Sequence, residues 1–509
     1  MNFSRAGRLS VAGLAVVIAA SAAVARAYAD ESPASAGAAG IGDRLYPLLG
    51  NGGYDVQNYD LSLRYPEKDP QQTITGDVTI TATATQDLTS FNLDFGGTAA
   101  GTVTVDGQPA TLARDGDELV VTPASHLFKG RPFTVTVKGF TTAPKFTDST
   151  GIIATPDGTV LAGQPNGAHV LFPSNDHPRD KATYTISLAA PTGWTGTANG
   201  VLTGTRTQDG YVTSTYRQSR PMASELVQVA VGDFLVHTRE PVGDTVIRDV
   251  VPTRLASTPL PKLDVERSEI KWFEDRVGPY PFESYGALVI EYKLGFGLET
   301  QTLTLFESRD VNSPADQFAQ FMAHEISHQW FGDSVTPASW SDVWLSEGHA
   351  TWYQVLYAAE NGVLKNRWKY EDVDAYAKDV YGDFDIFRAE YGPIAAPRDA
   401  AKKSHLFNQN VYDGAAVVLY ALRQQIGDEK FQKLEREWVR VNRDKSVTTQ
   451  DFIDLASQVS GQDLDKFLND WLYGTTTPPM PGHPDWKLRP VEKAAQSSTN
   501  GVFDPHTHR

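Results

Sequence analysis

The chain contains no cysteine among its 509 residues, and this absence narrows the chemistry open to it. It excludes disulfide bonds, a catalytic thiol and cysteine ligands for a metal site. A chain of this length can still bury a hydrophobic core large enough to be stable without covalent cross-links. Any metal site must therefore use nitrogen and oxygen ligands.

Positively charged residues are also scarce. The chain has 45 Lys and Arg residues and 62 Asp and Glu residues, which gives a net charge of −17. An apolar run at residues 9–25 follows Arg5 and Arg8 and precedes Ala27-Tyr28-Ala29, a small-x-small cleavage pattern. Residues 1–29 are therefore predicted to be a signal peptide and the protein to be secreted, because the run is too short and Ala-rich for a membrane anchor. Cleavage removes three arginines and no acid, so −17 becomes −20. This charge disfavours nucleic acid and anionic membranes as partners, and no stable membrane insertion is expected after signal cleavage.

Composition and periodicity divide the rest of the chain into four parts. Residues 30–44 are rich in Ala, Gly and Ser and are interpreted as a flexible linker. Residues 45–240 show period-two alternation between Gly, Asp and Pro turns, which predicts an antiparallel β-rich domain. Residues 241–475 turn to helical periodicity and 476–509 read as a polar tail. The predicted fold class is α+β, with a β-rich domain followed by a mostly helical one.

The most informative motif is His324-Glu325-Ile326-Ser327-His328, which is followed after eighteen intervening residues by Glu347. Residues four apart share a helix face, so His324 and His328 can bind the same metal ion. Glu325 is rotated by about 100° and stands beside the metal, where a general base for a metal-activated water belongs. With Glu347 as third ligand the set leaves one open position, which is typical of catalytic zinc. One zinc ion per chain is predicted.

The residues around the motif agree with this interpretation. Apolar residues recur at helical spacing before and within the motif, and a second apolar-periodic run from about residue 343 to 359 carries Glu347 near its start. An alternative zinc set would need a third His six residues after His328, but that position is Ser334. The predicted arrangement is a helix, a loop and a second helix that presents Glu347 to the first.

The run from His324 to Thr336, continued through Trp344-Leu345-Ser346-Glu347-Gly348, closely resembles the signature of the aminopeptidase N family of zinc metallopeptidases. The resemblance covers roughly residues 45–475. It implies a thermolysin-like zinc-peptidase domain at 241–475 and peptide substrates with a free N-terminus.

The resemblance also implies roles for individual residues. Phe296-Gly297-Leu298-Glu299-Thr300 falls where the family has Gly-Ala-Met-Glu-Asn, so Gly297 is expected to contact substrate and Glu299 to hold its α-amine. Gln164 resembles the glutamine that also touches the amine, and Tyr412 the tyrosine that stabilises the oxyanion.

Two further polar residues lie close to Glu347 in the sequence. Asp342 is expected to orient a zinc-bound histidine, because such histidines commonly donate their second nitrogen to a carboxylate. His349 should point about 200° away from Glu347 around the helix and is interpreted as a packing residue.

Two departures from the family leave alternatives open. Thr300 replaces Asn, and the residues after about 475 are too few for the large helical C-terminal domain of long family members. The leading hypothesis is a secreted, monomeric zinc aminopeptidase. The alternative is a zinc endopeptidase or relaxed-specificity peptidase with an open cleft. The intact motif residues argue against a third hypothesis, an inactive binding module.

Overall fold

The computed structural model describes residues 34–491. The predicted signal peptide, residues 1–29, lies outside this range, as do residues 30–33 of the predicted linker. Between residues 34 and 491, no helix is both long and apolar enough to cross a membrane.

The first half of the described chain forms β-sheets and one short helix, α1 (Ala168–Leu171). The strands are β1 (Ser35–Ala36), β2 (Tyr54–Arg64), β3 (Ile74–Ala84), β4 (Leu88–Asp94), β5 (Thr102–Val105), β6 (Gln108–Pro109), β7 (Thr111–Asp115), β8 (Glu118–Thr122), β9 (Pro132–Thr142), β10 (Lys145–Thr147), β11 (Thr150–Thr155), β12 (Gly158–Ala162), β13 (Ala182–Pro191), β14 (Thr195–Ala198), β15 (Val201–Gln208), β16 (Tyr211–Met222) and β17 (Val229–Gly232).

These strands form three sheets. The orders are β15-β16-β13-β2-β3-β9-β5-β6, β1-β4-β8-β7 and β10-β11-β12-β17-β14. Neighbouring strands are antiparallel except for the pairs β2–β13 and β1–β4. Side chains of β2 and β13 alternate between buried and more exposed, as expected for strands with one face on a core, and Tyr59 stacks on Tyr184 inside it. The predicted β-rich domain is confirmed.

A further sheet opens the second domain. It contains β18 (Phe234–Val242), β19 (Thr245–Pro252), β21 (Ala287–Ile290) and β22 (Thr304–Glu307) in that order, and β20 (Ser284–Tyr285) pairs with β19. The domain boundary predicted at residue 240 therefore falls inside β18, and the change of sheet occurs at Asp233. Period-two alternation continues across this point, so the pattern carries no signal of the change.

The two domains meet through apolar side chains. Ile153, Val160 and Ala162 of β11 and β12 share a buried cluster with Leu288 and Leu305 of β21 and β22. Every residue of β12 and β17 is buried, because the sheet of the second domain covers one face of these strands. This contact fixes the end of β12 against the second domain.

The remainder of the second domain is mostly helical. Its helices are α2 (Leu260–Leu263), α3 (Val265–Val277), α4 (Ser308–Val311), α5 (Ala315–Ser327), α6 (Trp344–Glu360), α7 (Val363–Asn366), α8 (Val373–Tyr391), α9 (Lys403–Leu406), α10 (Ala415–Ile426), α11 (Asp428–Asn442), α12 (Thr449–Ser460) and α13 (Asp465–Leu472). A π-helical turn, Asn410–Gly414, precedes α10, and short strands β23 (Thr336–Pro337) and β24 (Ser446–Val447) pair in parallel.

The predicted polar tail is wrong for residues 476–491. Met480 and Trp486 are buried in the core of the helical domain, where the Trp486 ring stacks on Tyr420 of α10. Arg489 forms ion pairs with Asp379 and Asp383 of α8. The segment is rich in proline and its apolar residues have neither helical nor strand spacing. Hydrophobic periodicity therefore does not predict this packing. Residues 492–509 lie outside the described range.

The predicted flexible linker is also wrong where the structure describes it. Asp43 is buried and accepts hydrogen bonds from the backbone N–H groups of Leu45 and Tyr46 and, through its other oxygen, from Trp340 N at 2.8 Å and His177 Nε2 at 3.2 Å. It thereby joins the first domain to the loop before α6.

Replacing Asp43 by Ala is expected to lower the free energy of unfolding at pH 7 by about 2–3 kcal/mol. Burial raises the pKa of Asp43, but its hydrogen bonds outweigh burial and lower the pKa from 3.8 to about 2. A depressed carboxyl pKa stabilises the fold above the unfolded pKa, and the stabilisation is lost as pH falls through about 2. Urea denaturation of metal-free wild type and variant at several pH values tests this, and a difference that does not shrink below pH 4 would contradict it.

Candidate active site

Helices α5 and α6 bring the predicted metal ligands together. Helix α5 buries Phe318, Phe321 and Met322 on the core side and ends at Ser327, so His328 is its C-terminal cap residue and remains in helical conformation. Helix α6 starts at Trp344 and carries Glu347 in its first turn. The predicted helix-loop-helix is present, with its helix ends within a few residues of the expected positions.

The donor atoms of His324, His328 and Glu347 lie within 4.8 Å of one another. Glu347 Oε2 is 3.5 Å from His324 Nε2 and 3.3 Å from His328 Nε2, yet within residues 34–491 it has no hydrogen-bond partner. All three side chains are buried. A buried carboxylate oxygen without a hydrogen bond but facing two imidazole nitrogens fits a bound cation. The three residues therefore fit one zinc ion.

The second nitrogen of each imidazole is held by a neighbouring residue. His324 Nδ1 lies 3.1 Å from Gln354 Oε1, and His328 Nδ1 lies 3.1 Å from the Phe331 carbonyl oxygen and 2.9 Å from Ser346 Oγ. Because Gln354 Oε1 and the carbonyl only accept, each Nδ1 carries the proton and each Nε2 is left for the metal.

The prediction for Asp342 is wrong. Its Oδ1 accepts hydrogen bonds from the backbone N–H and hydroxyl of Thr449, and its Oδ2 from Ser339 Oγ, so it caps the start of α12. Gln354 and Ser346 orient the imidazoles instead. Gln354 lies seven residues after Glu347, two turns along the same helix face, and this spacing is the sequence signal that would have identified it.

Glu325 lies next to the ligand set and against the backbone of Gly297. A Cβ atom at Gly297 would be 2.3 Å from Glu325 Oε1, so only glycine leaves the carboxylate its place. Burial raises the pKa of Glu325 well above its usual range, and Glu299 and Glu347 act in the same direction. The predicted base and the predicted substrate-contacting glycine are thus in direct proximity.

Glu299 and Gln164 meet across the domain boundary. Gln164, just beyond the end of β12, donates from Nε2 to Glu299 Oε1 at 2.5 Å. Carboxylate oxygens of Glu299 and Glu325 and a ring nitrogen of His328 lie within 4.8 Å of one another. Burial raises the pKa of Glu299, and the hydrogen bond from Gln164 acts in the opposite direction. Two buried carboxylates this close favour a cation between them.

A cavity of about 520 Å³ is lined by the three metal-ligand residues and by Glu325, Glu299 and Gln164. Tyr412 in the π-helical turn lines it, with its ring centroid 6.1 Å from that of His324. Gly297 lines it too. The turn at Asp148 and Ser149 between β10 and β11 belongs to the first domain, and α9 with the residues after it belongs to the second. Each predicted site residue except Asp342 therefore lines a single cavity between the domains.

His349 packs in the core, as predicted. Its ring stacks on Phe331 with centroids 4.5 Å apart, its Nδ1 lies 2.7 Å from the Leu345 carbonyl oxygen, and its Nε2 lies 3.5 Å from Glu435. It faces away from the cavity and is not a fourth ligand.

Two histidines on one helix, a glutamate from the next and a second glutamate beside them define the chain as a zinc metallopeptidase. Family models agree with this class. The Peptidase M1 N-terminal domain matches residues 56–226, and the Peptidase family M1 domain matches residues 262–471. The chain belongs to peptidase family M1, the aminopeptidase N family of zinc metallopeptidases.

Solved structures and curated proteins support this assignment. An M1 zinc metallopeptidase from Deinococcus radiodurans has a TM-score of 0.76 and 29% identity over 87% of this chain and 99% of that one. A mutant of it, solved with a Tyr-Ser-Ala substrate, has a TM-score of 0.75 and 29% identity, and covers 87% of this chain and 100% of that one.

Two curated relatives are longer than this chain. Glutamyl aminopeptidase of Sus scrofa is 26% identical over 60% of the chain but 34% of its own length. Leucyl aminopeptidase of Saccharolobus solfataricus is 23% identical over 64% of the chain and 42% of its own length. The chain spans about a third to two fifths of the length of these relatives.

Proposed function

We propose that this chain is a secreted zinc aminopeptidase that removes single residues from peptides with a free N-terminus. The predicted signal sequence at residues 1–29 supports secretion. Family membership, the fit of His324, His328 and Glu347 to zinc, and the relatives named as aminopeptidases support the reaction.

The observation that carries the aminopeptidase assignment is the hydrogen bond between Gln164 and Glu299. A buried carboxylate that borders the metal site and is held by a side-chain amide offers an α-ammonium group both a charge and an acceptor. An acetylated N-terminus would leave that carboxylate buried without a cation, at a cost in free energy. Such a site selects free N-termini.

Each of the proposed site residues in the cavity has its own role in the reaction. When bound, zinc supplies Lewis acidity towards a water molecule and the peptide carbonyl group. Glu325 accepts a proton from the attacking water and passes it to the leaving amine nitrogen. The Tyr412 hydroxyl donates a hydrogen bond to the oxyanion that develops on the carbonyl oxygen. Glu299 and Gln164 hold the α-ammonium, so that the first peptide bond is the one presented to Glu325.

Thr300 prompted the endopeptidase alternative because it replaces the family asparagine. In the structure it stabilises the loop that carries Glu299. Its hydroxyl is buried, donates a hydrogen bond to the Leu303 carbonyl oxygen and lies 3.1 Å from a second acceptor, Gln228 Oε1. The loop that carries Glu299 is therefore held without the family asparagine. A comparison of free and acetylated peptides separates the two functions.

Replacing Glu299 by Ala is expected to lower kcat/KM for peptides with a free N-terminus by about ten- to a hundred-fold. The change removes a charge-assisted hydrogen bond to the α-ammonium. For N-acetylated peptides the same change should cost little. Gln164→Ala should act in the same direction but more weakly, because an amide interacts as a dipole.

The measurement is kcat/KM of wild type and both variants on matched free and acetylated peptides. Glu299→Gln serves as a control that keeps the side-chain volume and removes only the charge. Equal losses on both kinds of peptide would show that Glu299 supports the loop rather than the substrate, and the endopeptidase alternative would then be preferred.

A further inference from the structure

The cavity beside the zinc ligands contains a cation that the proposed reaction does not use. Lys403 lines it together with five acidic residues, and no arginine belongs to its described lining; the acids are Asp148, Glu299, Glu325, Glu347 and Asp413. Lys403 is the first residue of α9, in the second domain. A lysine facing a substrate cavity requires an explanation of its own.

The ammonium group is held by aromatic rings rather than by a carboxylate. Lys403 Nζ lies 4.1 Å from the ring centroid of Phe296 and 5.6 Å from that of Phe407. Its hydrogen-bond acceptor is the Ser149 carbonyl oxygen at 3.3 Å. Among residues 34–491 it forms no ion pair, although five carboxylates line the same cavity. Burial lowers its pKa to about 8, with Glu299 and Glu347 acting in the opposite direction.

These contacts position the cation without neutralising it. The faces of Phe296 and Phe407 fix the ammonium and exclude water on two sides, so an anion that reaches it is bound in a partly desolvated place. A lysine ammonium has three N–H donors, and the Ser149 carbonyl accepts one of them at most. Two donors therefore remain for a group inside the cavity.

We propose that Lys403 binds a substrate carboxylate and thereby directs the cavity towards short peptides that carry one. The inference rests on the proposed aminopeptidase function and deepens it. Glu299 holds the positive end of the substrate and Lys403 a negative group, so the cavity matches a zwitterion. The carboxylate has two possible sources, the C-terminus of a dipeptide or an acidic side chain.

Four substrates distinguish these sources: Leu-Gly and its amide, and Glu-Gly amide and Gln-Gly amide. Lys403→Met keeps the apolar stem against both rings and removes only the charge, and Lys403→Arg is the matched control that keeps it. If Lys403 binds the C-terminus, Lys403→Met lowers kcat/KM for Leu-Gly by about ten- to a hundred-fold and leaves its amide unchanged. If it binds an acidic side chain, the selective loss falls on Glu-Gly amide relative to Gln-Gly amide.

The wild-type preference provides a readout that needs no variant. Wild type that hydrolyses all four substrates with no preference for a carboxylate overturns the role of Lys403 but not the aminopeptidase function. Wild type that hydrolyses none of them overturns the function itself. An equal loss on all substrates in Lys403→Met assigns the lysine to holding Ser149 in place and also overturns the proposal.

Discussion

Glu325→Gln is expected to lower kcat by about 10²–10⁴-fold while the protein keeps its zinc. Glu325 is buried next to His324 and His328, and the Nδ1 atoms of these histidines are held by Gln354 and Ser346, so an amide in place of Glu325 keeps these contacts. Glutamine occupies nearly the same volume beside Gly297 and cannot accept a proton. The loss should therefore appear in kcat, with KM changed little, because the residue acts on the reacting water rather than on the bound peptide.

The control for this prediction is Glu269→Gln. Glu269 is equally buried in the same domain, but it does not line the cavity. Its variant should keep kcat near the wild-type value, which separates the loss of a base from the general effect of replacing a buried glutamate. Zinc content by elemental analysis accompanies both assays. A Glu325→Gln enzyme with zinc and near-normal kcat would place the base elsewhere.

The double variant His324→Ala/His328→Ala is expected to lose zinc, and activity with it. Two of the three ligands are removed, and the remaining carboxylate of Glu347 cannot hold the ion alone. Glu347→Gln should weaken zinc binding by more than the ten- to hundred-fold that is typical for residues around the ligands, because a direct and charged ligand is lost. Gln354→Ala should fall within that range of about ten- to a hundred-fold, since it removes the acceptor for His324 Nδ1.

His349→Ala is the matched control for the zinc ligands. It removes a buried histidine from the same helix as Glu347, but from the face that packs on Phe331. Its zinc content should equal that of wild type even if its unfolding free energy falls. Chelator titration followed by zinc readdition measures the affinities. Undiminished zinc in the double variant would show that the metal binds at another set of residues.

The zinc ligands could be predicted from sequence because they depend on local periodicity. Two histidines four residues apart and a glutamate in the first turn of the next helix need only two helices and a short loop. The residues that orient the histidines could be predicted from the sequence only in part. Asp342 has the right chemistry, but its direction is set by Thr449, which is more than a hundred residues away in the chain. A side chain's partner at that separation is a property of tertiary packing.

The errors at the domain edges have a related cause. The segment around Asp43 and the segment around Trp486 have the composition of linkers and tails, yet both are fixed by contacts with distant residues such as Trp340 and Tyr420. Neither contact produces a periodic pattern of apolar residues in the sequence, because each segment is held by single side chains rather than by one face of a helix or strand. The change of sheet at Asp233 leaves no signal in the sequence, because one strand pattern continues into another sheet. In each case the pattern reported the composition and spacing of the segment and gave no information about the residues that pack against it.

The bond between Gln164 and Glu299 joins residues 135 positions apart, one from each domain. Zinc binding, by contrast, needs only α5 and α6. On the proposed function, discrimination between free and blocked N-termini depends on how the domains are docked, whereas the residues that fit zinc all lie in the second domain. A change that loosens the apolar contact between β12 and β21 should therefore reduce selectivity before it reduces metal content. In evolutionary terms, the docking surface is a place where exopeptidase character can change while the zinc site stays as it is.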